Sequence, residues 1–581
     1  MIGDTAMNLQ PSSADTRAPR GGVSHVAGAS EPALSELTIP AWLDATAERY
    51  PDRPACVFRE QGVRWTWREL RERSDRLAAA LRALGFAKGE RLGIWSPNRS
   101  EWILAQYATA RIGVVLVNIN PAYRLAELDY ALNKVGCKGV ISAAAFKTSQ
   151  YLHMLQALAP ELARCAPGQL RAAKLPQLTT VIRMGEERTP GMYNLTEVCA
   201  RADDAGVAEA RRLGATLSCR DPINIQFTSG TTGNPKGATL THHNIVNNAR
   251  DVARTMNYGA GDSLCIPVPL YHCFGMVMSS LASTVTGGTM VFPGEGFDPV
   301  APLKAIHDER CTHLHGVPTM FIAELEAPGF ADFDLASLRG GIMAGAPCPI
   351  ETMRRVVSAM HMQEVTIAYG MTETSPISMQ SAVDDPLEKR VTTVGRIQPH
   401  VEVKIVDTAG RIVPVGVKGE LCTRGYLVMR GYWEDAESTA DSLDAAGWMH
   451  SGDLATLDAD GWCNIVGRAK DMLIRGGENV FPREVEEFLQ GHPKVQAVQV
   501  FGVPDPRFGE EVCAWIVLRP GQAATAEEIV AYCRERIAHY KVPRYVRFVA
   551  DFPLTATGKA QKFVMREQMK RELGVSEAAS A

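Results

Sequence analysis

Apolar and polar positions follow one pattern up to about residue 400 and another beyond it. Residues 39–50 and 67–84 carry apolar side chains at helical spacing, and the second stretch ends at Gly85, where a glycine suits the C-cap. Residues 55–65 read as two strands turned at Gln61-Gly62. Arg91-Leu-Gly-Ile-Trp95 and residues 113–118 read as short strands separated by a helix. This alternation continues to about residue 400 and predicts α/β layers. Beyond it, 401–406 alternates, 419–425 is strand-like, and 448–465 is punctuated by Gly and Asp, which predicts a β-rich subdomain. The last stretch reads as a separate unit, with a helix at 484–489, a strand at 495–503 and a helix at 526–537. The expected fold is α/β: a large N-terminal domain of α/β subdomains plus a β-rich subdomain (37–468), then a small α+β C-terminal domain (469–575). The charged loop 468–471 marks the boundary. Residues 1–36 and 576–581 are expected to be tails.

Composition narrows the class. With 46% hydrophobic and 22% charged residues, the chain is an ordinary globular protein long enough to bury a sizeable core. A formal net charge of −4 gives no general attraction to nucleic acid or acidic membranes. Its thirteen cysteines are scattered singly, with no CxxC pair and no Cys/His cluster at zinc spacing. Reduced thiols in the cytoplasm are the expectation. No apolar run reaches the ~18 residues that span a bilayer. The first 36 residues lack an apolar signal core, and Asp4, Asp15 and Glu31 weigh against a transit peptide despite their arginines and serines.

The strongest local chemistry is Thr228-Ser-Gly-Thr-Thr-Gly-Asn-Pro-Lys-Gly237. Glycines let backbone N–H groups approach phosphate oxygens, hydroxyls add donors, and Lys236 adds charge. It is not a Walker A loop, because Pro235 precedes Lys236 and Gly237 follows it. Ile223, Ile225 and Phe227 alternate before it and 238–240 is strand-like after it, so the loop is expected to join two strands. A helix then follows, with Ile245, Ala249, Val252 and Met256 on one face.

This loop resembles that of the adenylate-forming (AMP-binding) superfamily, and four further motifs of that superfamily follow in order. They are Tyr369-Gly-Met-Thr-Glu-Thr374, Ser451-Gly-Asp-Leu-Ala455, Gly467-Arg-Ala-Lys-Asp471 and Pro553-Leu-Thr-Ala-Thr-Gly-Lys559. The resemblance runs over about residues 40–572. Tyr271-His-Cys-Phe-Gly275, Arg475-Gly-Gly-Glu-Asn479 and Phe501-Gly-Val-Pro-Asp-Pro506 are most similar to medium-chain fatty-acyl-CoA synthetases of the ACSF2 type.

The resemblance implies an acid–thiol ligase using ATP, Mg²⁺ and coenzyme A, with a small carboxylic acid as its partner and the C-terminal domain mobile about Lys470. It implies that Thr228, Ser229, Gly230, Thr231, Thr232, Gly233 and Lys236 cradle the phosphates. Gly345, Ala346 and Pro347 would flank the adenine, with Tyr369 stacking on it. Thr372 would meet the α-phosphate and Glu373 would hold the metal, an oxygen donor suited to a hard cation. Asp453 and Arg468 would bind the ribose side, and His272 would lie near the acyl carboxylate. Lys559 would bridge carboxylate and α-phosphate, and Gly476 and Gly477 would line the coenzyme A path. Phe274, Gly316-Val-Pro318 and Ala344 would shape the acyl pocket. Loading of a carrier protein, a luciferase-type oxygenase and a non-catalytic nucleotide sensor are the alternatives, and the oligomeric state stays open.

Overall fold

The computed structural model describes residues 17–228, 235–346, 348–476, 478–534, 536–555 and 558–575. Two large sheets dominate. The eight-stranded sheet runs, from one edge, Gly431–Tyr432, Lys236–Thr241, Pro222–Thr228, Val115–Asn118, Arg91–Trp95, Gly139–Ser142, Thr180–Arg183 and Tyr193–Asn194. Its strands Val115–Asn118, Arg91–Trp95, Gly139–Ser142 and Thr180–Arg183 are parallel and short, and Val115–Asn118 is buried at every position, as layers covered on both faces require. The nine-stranded sheet centres on the parallel strands Ser263–Cys265, His313–Gly316, Gly340–Ala344 and Glu364–Gly370.

Local signals set the intervening helices. Thr66 and Glu69 close a capping box at the start of Trp67–Ala83. Gly113, at φ +68°, ends Ser100–Ile112. That helix is buried along almost its whole length, with Trp102 and Tyr107 fully enclosed.

Helix His242–Thr255 bears the expected apolar face of Ile245, Ala249 and Val252, but its polar face is buried as well. The reason is its position between the two sheets: it packs on Lys236–Thr241 from one and on Ile377–Gln380 from the other. Asn248 both donates to the Ile377 carbonyl at 2.7 Å and accepts from the Ile377 N–H at 3.1 Å, so the buried amide is satisfied.

A small antiparallel sheet of Val401–Val406, Gly419–Gly425, Met449–Leu457 and Cys463–Arg468 follows, and a fifth strand, His25–Ala27, completes its edge. This corrects the expected tail over 1–36: the described chain from residue 17 already lies against this sheet. Val26 pairs with Val403, the Ser24 N–H donates to the Val413 carbonyl at 2.8 Å, and His400 bonds the Pro32 carbonyl at 2.8 Å. Three residues of modest hydrophobicity on an edge carry no periodicity that a sequence reading can detect. Residues 1–16 and 576–581 lie outside the described residues.

After a 3-10 turn at Ala469–Asp471, a second small sheet forms from Leu473–Arg475, Glu478–Val480, Val495–Asp505, Gly509–Leu518 and Tyr545–Phe548. Helices Pro482–Gln490 and Lys562–Leu573 pack against Val495–Asp505. The expected helix at 526–537 is shorter, Ala526–Cys533.

Candidate active site

The phosphate-loop motif has its ends in register. Pro222–Thr228 and Lys236–Thr241 form an antiparallel pair with Thr228 opposite Lys236, so the loop does join two strands. Ser229, Gly230, Thr231, Thr232 and Gly233 lie outside the described residues, as do Pro347 and Gly477. The Lys236 ammonium sits 5.2 Å above the ring of Tyr432.

Strand Glu364–Gly370 delivers the next motif. Gly370 lies so close to the returning chain that a Cβ on it would stand 1.7 Å from the Pro376 carbonyl oxygen. That close approach folds Thr372–Thr374 into a 3-10 turn in which Thr372 and Glu373 are buried. The Tyr432 hydroxyl donates to Glu373 Oε1 at 2.7 Å.

Asp453 stands opposite Arg468 across strands Met449–Leu457 and Cys463–Arg468. Asp453 is 7% exposed, and its carboxylate accepts from the Tyr369 hydroxyl at 2.6 Å and from Arg468 Nε at 3.1 Å. Such charge-assisted bonds fix its orientation and leave lone pairs on both oxygens. Burial and the adjoining carboxylate raise the Tyr369 pKa well above the usual phenol range, so its proton stays in the bond.

Lys559 ends a tight hairpin. The Thr555 N–H donates to the Lys559 carbonyl at 2.7 Å, the Lys559 N–H returns to Thr555 Oγ1 at 3.0 Å, and Gly558 turns the chain at φ +78°. This hairpin rests on the N-terminal domain, where Thr319 Oγ1 donates to the Gly558 carbonyl at 3.4 Å. The Lys559 Cε lies 3.9 Å from the place a Cβ on Gly345 would occupy. Lys559 stands in an open cleft, reached by water yet walled by protein on its sides. That enclosure lowers its pKa, and Arg468 lowers it further, while Asp453 and Glu373 act in the opposite sense.

His272 is close enough to feel the Lys559 charge. Burial first, and that charge second, bring its pKa down to about 3. Its Nδ1 accepts from the Phe274 N–H at 3.2 Å, which puts the proton of the neutral ring on Nε2.

Glu373, Asp453, Arg468, His272, Gly345 and Lys559 therefore meet in one cleft, with Thr372 beside Glu373 and Tyr369 on Asp453. Phe274, Val317 and Ala344 are buried beside it. Gly476, at φ +59°, instead contacts Phe508 of its own domain. Tyr432 escaped the sequence reading, since its strand is only two residues long and Gly-Tyr alone carries no chemical signal.

Residues 43–433 match the AMP-binding enzyme family, and residues 484–559 match the AMP-binding enzyme C-terminal domain. Among similar proteins is the medium-chain acyl-CoA ligase ACSF2, mitochondrial, of Danio rerio, 48% identical over 95% of this chain and 91% of its own length. The putative acyl-CoA synthetase YngI of Bacillus subtilis is 47% identical over 92% of this chain and 97% of its own. The anthranilate CoA ligase AuaEII, solved with anthranoyl-AMP, superposes with a TM-score of 0.83 at 25% identity, covering 93% of this chain and 98% of its own. A Mycobacterium tuberculosis fatty acyl CoA synthetase superposes with a TM-score of 0.70 at 29% identity, covering 92% and 99%. With both domains matched and near-half identity along almost its entire length, this chain belongs to the AMP-binding enzyme family, as an acid–thiol ligase of the acyl-CoA synthetase class that uses ATP and coenzyme A.

Proposed function

We propose that this acyl-CoA synthetase activates a medium-chain fatty acid through an acyl-adenylate, with Lys559 as the charge that makes the first step possible. The observation that carries the reading is the docking of the C-terminal hairpin: Lys559 lies beside Gly345, within electrostatic reach of Glu373, Asp453, Arg468 and His272.

A carboxylate is a poor acyl donor, because its leaving group would be oxide. In the first half-reaction a carboxylate oxygen attacks the α-phosphorus of ATP, the bond from that phosphorus to the β-phosphate bridging oxygen breaks, and pyrophosphate leaves with the electron pair. Lys236 and the loop around it hold the phosphates, Thr372 donates to the α-phosphate, and the Lys559 ammonium spans carboxylate and phosphate as charge moves outward. Asp453, oriented by Tyr369 and Arg468, accepts from the ribose hydroxyls. The adenine lies against Gly345, Ala346 and Pro347, with Tyr369 on its other face. Neutral His272 offers its Nε2 proton to the acyl carboxylate, a bond that an ammonium neighbour does not oppose.

The donor set also fits Mg²⁺. Glu373 presents a buried carboxylate with one oxygen bonded to Tyr432, in a turn that packs on strand Lys236–Thr241, and a hard divalent cation prefers such oxygen donors. When bound, that ion neutralises phosphate charge.

In the second half-reaction the coenzyme A thiolate attacks the acyl carbonyl and AMP leaves. The domain from residue 469 turns about Lys470, in the 3-10 turn Ala469–Asp471, which withdraws Lys559 and brings Gly476 and Gly477 toward the cleft. Buried Phe274, Val317 and Ala344 give the acyl chain an apolar wall. The thirteen cysteines are all free, which fits a reducing compartment such as the cytoplasm. Among the described residues no helix is long and apolar enough to cross a membrane. The relatives named mitochondrial make subcellular fractionation the deciding measurement.

AMP formation with acids from acetate to palmitate, together with benzoate and cinnamate, tests the substrate class. Highest kcat/KM near octanoate is expected, and a preference for an aromatic acid would overturn it.

A further inference from the structure

The phosphate-loop lysine and the carboxylate proposed to hold Mg²⁺ come from different parts of the chain, and one side chain touches both. Strand Gly431–Tyr432 pairs with Lys236–Thr241, Ala238 opposite Tyr432 and Thr239 opposite Gly431. The pairing extends on either side, from the Arg430 N–H to the Thr239 carbonyl at 2.9 Å and from the Trp433 N–H to the Gly237 carbonyl at 2.8 Å. One residue earlier, the Met429 N–H donates to the Glu373 carbonyl at 2.8 Å. Segment 429–433 is thus fastened to the Lys236 strand and to the Glu373 turn at once.

Gly431 sets the direction of the next side chain. Its φ of +139° excludes most L-residues, and a Cβ there would press on Thr439 at 3.0 Å. Thr439 Oγ1 accepts from the Tyr432 N–H at 2.9 Å. Tyr432, a residue 9% exposed, then places its hydroxyl on Glu373 Oε1 at 2.7 Å and its ring face under the Lys236 ammonium at 5.2 Å. The hydroxyl takes one carboxylate oxygen and the ring takes one side of the cation, so both charged groups are oriented without being neutralised.

We propose that Tyr432 is a positioning residue that aligns Glu373 toward the metal through its hydroxyl and Lys236 toward the phosphates through its ring. The inference rests on the roles given above to Glu373 and Lys236. An aromatic ring that merely fills space would serve equally well as phenylalanine.

The test is equilibrium binding of a fluorescent ATP analogue to the full chain, in EDTA and along a Mg²⁺ titration, with melting curves and ATP kinetics alongside. Tyr432→Phe keeps the ring and removes the hydroxyl. It is expected to match the unsubstituted enzyme in EDTA and to need about tenfold more Mg²⁺ at the midpoint, the size of one lost bond to a charged group. Tyr432→Leu removes the ring too, and is expected to weaken binding in EDTA by about threefold or more as well. In kinetics, the KM for ATP should rise while that for the acid stays within about twofold. A Tyr432→Phe midpoint within about twofold of the unsubstituted enzyme, while Glu373→Gln moves it, overturns the inference for Tyr432 alone. A midpoint that Glu373→Gln leaves in place overturns the metal role of Glu373, and the inference with it.

Discussion

Lys559 illustrates how position changes what a side chain can do. On a free surface its ammonium would persist far into the alkaline range. In the cleft, desolvation and Arg468 lower its pKa, only partly opposed by Asp453 and Glu373. The charged form is therefore lost at a lower pH than for an ordinary lysine, and the adenylation rate should fall on the alkaline side with it. Thioester formation from supplied acyl-adenylate should lack that limb. His272, with a pKa of about 3, stays neutral and adds no limb near neutrality. Lys559→Ala should cut pyrophosphate release by roughly 10²–10³, the usual cost of removing a preorganised charge. Coenzyme A acylation from synthetic acyl-AMP should change by no more than about threefold. Equal losses in both assays would refute this division of labour. The motif around Lys559 was readable in the sequence, as were those around Thr372, Glu373 and Asp453, because each needs a fixed string of chemically distinctive residues. The partners that orient them were not: Tyr432 and the bond from Tyr369 to Asp453 arise where distant strands meet, and no local string encodes that.

Turns and helices carry the next set of constraints. The turn of Thr372 and Glu373 exists because Gly370 admits the Pro376 carbonyl against its Cα. Gly370→Ala should force the two strands apart, lower the melting temperature, and reduce adenylation at least tenfold, a loss of about 1–3 kcal/mol by overpacking. Unchanged melting and turnover would show that the turn adapts. Helix Pro318–Leu325 poses a different problem. Glu324 on it is fully buried, with neither carboxyl oxygen hydrogen-bonded among the described residues. Burial raises its pKa well above the ordinary 4.5, so the folded chain holds a proton that the unfolded chain releases. The stability it contributes is full below pH 4.5 and is lost as pH climbs toward the raised value. Glu324→Gln carries no ionisation there. Its melting temperature should exceed that of the unsubstituted enzyme by more at pH 8 than at pH 5, and a gain independent of pH would contradict this. A sequence reading takes Glu324 for a solvated helix charge, since only the packing around the helix reveals its burial.

Strand spacing made the α/β layers readable across the chain, and the antiparallel texture beyond residue 400 announced the small sheet. Two larger features stayed hidden. One is the burial of both faces of His242–Thr255, which depends on two sheets closing over it. The other is the seat of the C-terminal domain, which polar contacts help to hold: Thr319 with Gly558, Gln496 with Glu326, Arg483 with the Ile465 carbonyl, and Lys418 3.7 Å over the Phe481 ring. Polar contacts of this kind leave little apolar pattern for a sequence reading to find, and they suit the domain turn proposed above. Strand His25–Ala27 has a consequence for shortened versions of the enzyme. Trimming the protein to begin at residue 37, where its regular patterning starts, would strip the cover from residues 402–404 of strand Val401–Val406 and offer the three positions that His25–Ala27 now pairs to any neighbouring molecule. Light scattering should then detect sticking between molecules, through the sheet that carries Asp453, and a trimmed protein as monodisperse and heat-resistant as the full chain would show that this selvedge needs no hem.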